Sequence, residues 1–226
     1  MRKTDVPQAL DILREHYERW KAPAKTLAGH HRNDPFRVLV CALLSTRTRD
    51  ETTSRVCRRL FERIKKPEDV VNLPLNELRE LIYPVGFYRS KAKQLKALSA
   101  LLVERFGGKV PDSLEDLLSL PGVGRKVANL VLSEGYGIPA ICVDTHVHRI
   151  TNRWCLVKTE TPLQTEKALM ELIPQEYWGL LNRLLVAFGQ RICTPLKPKC
   201  HACPIERLCG KCGVSSAVPL SRNPRV

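Results

Sequence analysis

The ten residues Leu120-Pro121-Gly122-Val123-Gly124-Arg125-Lys126-Val127-Ala128-Asn129 constrain this chain more than any other stretch. Before them, Asp112 to Ser119 reads as a short helix, with Asp112 as N-cap and Glu115, three residues on, as its capping-box partner. After them, Val127, Ala128, Leu130 and Val131 give a second apolar helical face. Two helices are therefore joined by a tight Pro-Gly-x-Gly hairpin. Its glycines allow positive φ and leave no side chain between the backbone and whatever approaches it. The amides of Val123 and Gly124, and those of the first turn beyond, point outward at a helix N-terminus, where a phosphate fits. The same pattern also serves as a plain helix–helix turn that binds nothing.

Charge bears on that choice. The chain of 226 residues carries a formal net charge of +14. A surplus of this size favours a polyanionic partner. It is spread along the chain, through Arg47, Arg49, Arg55, Arg58, Arg59 and Arg63 and again through Arg89, Lys91, Lys93 and Lys96. Taken singly, such runs are solvated helix faces. Beside a phosphate-sized hairpin they favour DNA. The apolar stretches, such as Val38 to Leu44, are too short to span a bilayer, and Met1-Arg2-Lys3-Thr4-Asp5 leads into no signal-peptide core. The expectation is an intracellular protein, cytoplasmic or nucleoid-associated, with no membrane partner.

The rest of the chain reads as all-α. Gln8 to Trp20 is amphipathic, with Leu10, Leu13, Tyr17 and Trp20 on one face. A polar loop runs to Asp34. Pro35 to Leu44 is apolar on nearly all sides, the mark of a buried helix. Thr52 to Ile64 is a basic amphipathic helix, and Pro67 and Pro74 punctuate two short ones. Ser90 caps a helix that stops at Gly107-Gly108. Val143 to Leu156 begins extended and turns helical, Thr161-Pro162 opens another helix, and Gln175 to Ile192 is strongly periodic. The tail beyond Cys212 reads as frayed.

There are nine cysteines. Without a secretory signal a disulfide framework is not expected. Cys41, Cys57, Cys142 and Cys155 sit in apolar segments and read as buried small hydrophobes. The other five crowd between Cys193 and Cys212, and four thiolates at short spacing bind a metal. Zinc is the common occupant of four-cysteine sites, and Cys200, Cys203, Cys209 and Cys212 form two Cys-x-x-Cys pairs. The five residues between those pairs are fewer than a zinc ribbon uses.

The hairpin, a lysine two residues after its second glycine (Lys126), an aspartate eighteen residues later (Asp144 in Val143-Asp144-Thr145-His146), and Cys193, Cys200, Cys203 and Cys209 occur in that order. Together they resemble endonuclease III and the helix-hairpin-helix DNA glycosylase superfamily, from about Pro35 to Cys209. The resemblance implies two helical domains with a DNA cleft between them. Residues 28–138 would form a six-helix domain carrying the hairpin, and 1–27 with 139–226 an iron–sulfur cluster domain. It selects Cys193, Cys200, Cys203 and Cys209 as ligands of a [4Fe-4S] cluster, leaving Cys212 a bystander. It also implies a bifunctional DNA N-glycosylase and AP lyase that acts on oxidised or otherwise damaged pyrimidines in duplex DNA. The partner would be duplex DNA with damaged bases or abasic sites, met by a monomer.

Within that resemblance Lys126 and Asp144 are the catalytic pair. Taken alone, Lys126 is equally a solvated cation, and Asp144 equally a helix cap. A lysine can form a Schiff base with a sugar carbon once it is neutral, and a helix N-terminus with Arg125 beside it works toward that. Asp144 would support the developing sugar cation. Pro121, Gly122, Val123, Gly124 and Arg125 would hold the DNA backbone. A glutamine often stands at the position of Arg47 in the family, and a leucine at that of Phe87. Both residues here remain credible wedges for the hole that a flipped base leaves. His146 and His148 form no evident metal set. The rival readings are a mismatch glycosylase acting on thymine, uracil or adenine, a non-enzymatic DNA-binding module, and a zinc-stapled interaction protein.

Overall fold

In the computed structural model, residues 1–20 and 33–214 are described. They form eleven α-helices and no strand. In chain order these are α1 (Val6–Tyr17), α2 (Pro35–Ser45), α3 (Asp50–Arg63), α4 (Pro67–Asn72), α5 (Leu75–Ile82), α6 (Tyr88–Phe106), α7 (Leu114–Ser119), α8 (Arg125–Leu130), α9 (Thr145–Arg153), α10 (Pro162–Leu172) and α11 (Trp178–Arg191). A π-helical turn, Val131–Tyr136, continues α8. The expected polar loop and tail fall largely on residues 21–32 and 215–226, outside the described residues.

The apolar residues sort into two clusters. One is built on α2, where every residue from Val38 to Leu44 is buried, with α3 to α8 wrapped around it. Each such aliphatic side chain contributes about 1.5–3 kcal/mol when fully buried. The second joins Val6, Ala9, Leu10 and Leu13 of α1 to Val147, Ile150, Leu181, Leu185 and Phe188 of α9 and α11. The N-terminal helix thus packs on helices from the far end of the chain. Trp20 stacks at 5.6 Å on Phe188, and the Met1 ammonium donates to Trp154 O at 2.7 Å.

Local signals shift in three places. Ser113, not Asp112, caps α7: its hydroxyl accepts from Asp116 N at 3.1 Å and donates to Asp116 Oδ2 at 2.7 Å. Helix α6 starts at Tyr88 with Phe87 as its N-cap, so Ser90 lies inside the first turn. Cys155 is exposed and joined to Cys212 by a disulfide, so the buried reading of Cys155 does not hold, while Cys212 stays outside the set of four free thiols. Tertiary folding brings the two together: Cys212 N donates to Arg153 O at 2.9 Å, which lays the end of the cysteine loop along the end of α9.

Candidate functional site

The hairpin forms as a tight turn. Val123 N donates to Leu120 O at 3.1 Å, with Pro121 and Gly122 at the corner and Gly122 at φ +78°. Proline followed by a left-handed glycine is the requirement of a type II turn. A Cβ on Gly122 would also press on Leu43 Cδ1 at 3.2 Å and Gln94 Cδ at 3.3 Å. Gly124 differs: its φ is −99°, and a Cβ there would meet nothing within 4 Å. The fold does not require that glycine, so its missing side chain matters only to something arriving from outside. The Val123 amide is spent inside the turn, which leaves the amides from Gly124 onward to face outward.

Lys126 is the second residue of α8 and is exposed. It lines a cleft of about 1090 Å³ between the two apolar clusters, and Asp144 lines the same cleft. Three hydrogen bonds fix the chain that runs between them. Asn129, one turn beyond Lys126, donates through Nδ2 to Ile141 O at 3.0 Å. Cys142 Sγ donates to Lys126 O at 3.4 Å, and Asn182 Nδ2 on α11 donates to Cys142 O at 3.0 Å. Burial pushes the Cys142 thiol up to about 12 despite the pull of nearby Lys126, so it acts as a neutral donor.

Asp144 caps α9. Its Oδ1 accepts from His146 N at 2.9 Å and Val147 N at 2.8 Å. Among the described residues no donor reaches Oδ2. Capping is therefore how the carboxylate is aimed: one oxygen is tied to the helix start and the other is left for the cleft. His146 sits beside it; burial pushes its pKa down, Arg149 and Lys126 add to that, and Asp144 and Asp50 pull the other way. His148 Nδ1 instead lies 2.6 Å from Thr165 Oγ1, a contact that ties α9 to α10.

Arg125 does not stand as an unpaired cation beside Lys126, although its side chain stays partly exposed. Its guanidinium is held by the buried Glu166 of α10, at 2.6 Å for Nη2 and about 3.1 Å for Nε. That hydrogen bond raises the Arg125 pKa further. The pair straddles the cleft, as do Glu134–Arg183 at 3.3 Å and Gln190 Nε2–Asp50 Oδ2 at 2.8 Å. Asp50, Glu134, Glu166, Asn182, Arg183 and Gln190 escaped the sequence reading. For Asn182, Arg183 and Gln190 the available signal was their polar character within the helical stretch Gln175 to Ile192; the other three had none.

Arg47 and Phe87 are brought together. Both hold left-handed backbone, φ +51° and +57°, in turns that precede α3 and α6. Phe87 is 63% exposed, and the Arg47 guanidinium lies 5.6 Å from its ring centroid. They border a hollow of about 280 Å³ that Gln94 and Ser90 also line.

Cys193, Cys200, Cys203 and Cys209 are free thiols lining one small hollow. Burial pushes Cys203 up to about 12, and the neighbouring Cys209, Cys193 and Cys200 add to the shift. Thiols gathered in this way become metal ligands only as thiolates, which a cationic centre stabilises. Yet among the described residues no three His, Cys, Asp or Glu side chains are placed to hold a single metal ion. Four cysteine thiols lining one hollow are the donor set that an iron–sulfur cluster uses. The loop is tied to the cleft through α9, since Arg149 Nη2 donates to Cys193 O at 2.8 Å and Arg153 Nη1 to Thr194 O at 2.7 Å.

Comparison with known proteins agrees. The family model for HhH-GPD superfamily base excision DNA repair proteins matches residues 40–175, and that for the iron-sulfur binding domain of endonuclease III matches 193–209. Endonuclease III of Thermotoga maritima is 50% identical over 181 residues, which cover 80% of this chain and 85% of the relative. The chain belongs to the endonuclease III family. Endonuclease III of Bacillus subtilis is 41% identical over 178 residues, covering 78% of this chain and 81% of that protein. A trapped endonuclease III–DNA covalent intermediate superposes with a TM-score of 0.82 at 36% identity, covering 92% of this chain and 96% of the other. The chain is a base excision repair DNA glycosylase with AP lyase activity; it binds DNA and carries a [4Fe-4S] cluster.

Proposed function

We propose that the enzyme acts as a monomer on damaged pyrimidines in duplex DNA, with Lys126 as nucleophile and Asp144 as its electrostatic partner. One observation carries the reading. Lys126 stands open in the cleft, and its own carbonyl anchors the segment that presents Asp144, one oxygen of which is unspent. Lys126 Nζ bonds to C1′ of the extruded nucleotide as the bond from C1′ to the base breaks. The base leaves with that electron pair and takes up a proton. Asp144 supports the positive charge that develops on the sugar. The lysine-bound C1′ opens to an iminium, which acidifies C2′. Loss of a C2′ proton then expels the 3′ phosphate, and the strand is cut.

Gly122 and Gly124 admit the DNA backbone to the outward amides of the hairpin, and Pro121 and Val123 hold the turn in shape. Arg47 and Phe87 enter the duplex where the base has left. Cys193, Cys200, Cys203 and Cys209 hold the cluster, which when bound organises the loop carrying Lys197 and Lys199 against the DNA. Residues 28–138 act as one domain, and 1–27 with 139–226 as the other; the two apolar clusters and the cleft between them support that division. An intracellular place beside the nucleoid follows from the substrate, and among the described residues no helix is long and apolar enough to cross a membrane.

Borohydride should trap a covalent adduct between the enzyme and abasic or thymine glycol DNA, with the attachment at Lys126. Lys126→Gln should bind DNA and trap nothing; an adduct formed at the wild-type rate would overturn the assignment. A mismatch reading has some support, since a thermostable thymine-DNA glycosylase superposes with a TM-score of 0.77 at 27% identity. Faster excision from G·T pairs than from thymine glycol would favour it. Cys203→Ser should lose the brown colour of the holoenzyme, and Cys212→Ser should keep it.

A further inference from the structure

Charge patterning makes Lys91 a solvated cation on a basic helix face. The structure buries it: Lys91 is 4% exposed. Its Nζ donates to Leu44 O at 2.8 Å, to Thr46 O, and to Thr48 Oγ1 at 3.2 Å. Leu44 lies in the last turn of α2, where carbonyls have no helical partner and a cation is favoured. Thr46 and Thr48 flank Arg47. The ammonium therefore clamps the Arg47 turn on both sides.

The backbone of the same residue fixes the Phe87 turn, so the side chain reaches from that turn to the Arg47 turn. Lys91 N donates to Phe87 O at 3.0 Å, closing the first turn of α6. Between the two turns, Gly86 N donates to Thr48 Oγ1 at 3.1 Å. A Cβ on Gly86 would lie 2.5 Å from Arg47 O, so the glycine is what lets the turns meet. Left-handed backbone at an arginine and at a phenylalanine persists only where its surroundings over-determine it. Methionine would fill the space of Lys91 without the cost of burying a charge, a cost visible as a pKa pushed down to about 8. What methionine lacks is the three donated hydrogen bonds.

We propose that Lys91 is a positioning residue for base extrusion, tying the Arg47 and Phe87 turns into one preformed wedge. The proposal rests on the wedge reading of those two side chains given above. Preformation spares the enzyme from ordering two exposed loops while the duplex is being unstacked. The effect belongs to extrusion and not to the lyase step, because an abasic site has no base to turn out.

The test uses holoenzyme under single-turnover conditions, with thymine glycol duplex and abasic duplex in parallel. Lys91→Met should slow base release about tenfold while borohydride trapping on abasic DNA stays within about twofold. Thr48→Val removes the acceptor that Lys91 and Gly86 share, and should shift the same ratio in the same direction, by less. It carries the test should Lys91→Met fail to fold. Arg47→Ala combined with Lys91→Met should be no slower than the slower single variant, because both act through one wedge. Equal slowing on both substrates, an unchanged ratio in Lys91→Met and Thr48→Val, or multiplying losses in the double variant would overturn the proposal. An unchanged ratio in Arg47→Ala itself would instead sink the wedge reading, and this proposal with it.

Discussion

Lys126 and Lys91 both stand in the first turn of a helix, both amid basic residues, and they have opposite fates. Lys126 is exposed in the cleft at the start of α8. Lys91 is buried at the start of α6 with its ammonium donating to three oxygens. The difference lies in what faces each helix start. Helix α6 points its first turn at the end of α2, whose carbonyls need donors. Helix α8 points its first turn at the open cleft, where the neighbouring cation Arg125 is already taken by Glu166. An amine without competing partners is free for chemistry, and one that satisfies three acceptors is free for nothing else.

The sharpest way to break this comparison is to make the same change at both sites. Lys126→Gln should lower the rate of adduct formation by about a thousandfold or more, with the melting temperature unchanged. Lys91→Gln should do the reverse, costing about 2–3 kcal/mol of stability through carbonyls left without a donor, with trapping on abasic DNA retained. Thermal melts beside trapping gels would show whether the roles are as distinct as the geometry makes them.

The two hairpin glycines extend the contrast at smaller scale. Gly122→Ala forces a Cβ into left-handed backbone and should destabilise by about 1–2 kcal/mol. Gly124→Ala should leave stability within about 0.5 kcal/mol, since its Cβ meets nothing, and should weaken duplex binding in a salt-titrated assay. Normal DNA affinity in Gly124→Ala would mean that the backbone there makes no close approach.

The smallest expected effect is a trend with pH. Burial pushes Lys91 down to about 8, whereas an unfolded lysine titrates near 10.4. Between those values the unfolded chain binds more protons than the folded one, so this site adds stability as pH rises. Below pH 8 both states are protonated, and the burden of the buried charge is constant. The stability gap between wild type and Lys91→Met should therefore widen from pH 7.5 to 9.5. A flat gap would mean that Lys91 titrates as an ordinary surface lysine.

Much of the architecture was legible because it rests on local rules. The apolar run of α2 could only be a buried helix, and Pro121-Gly122 could only be a turn. Lys126, Asp144 and the four cysteines stood out through spacing, and the structure places the first two in one cleft and the cysteines around one hollow. The struts across the cleft were not legible. Arg125 and Glu166 are 41 residues apart, and nothing in either segment announces the other. Cys155 and Cys212, 57 residues apart, were invisible as a pair for the same reason.

The sequence by itself determined the helices, the hairpin and the spacing that singles out the candidate groups, because periodicity, turn residues and ligand spacing act over a few residues. Only the tertiary structure decided which charges are free. It turned Arg125 away into an ion pair, buried Lys91 under the Arg47 turn and left one oxygen of Asp144 open. Whether a charged group is paired, buried or available depends on which helix ends come to face it, and that is set by the packing of distant segments.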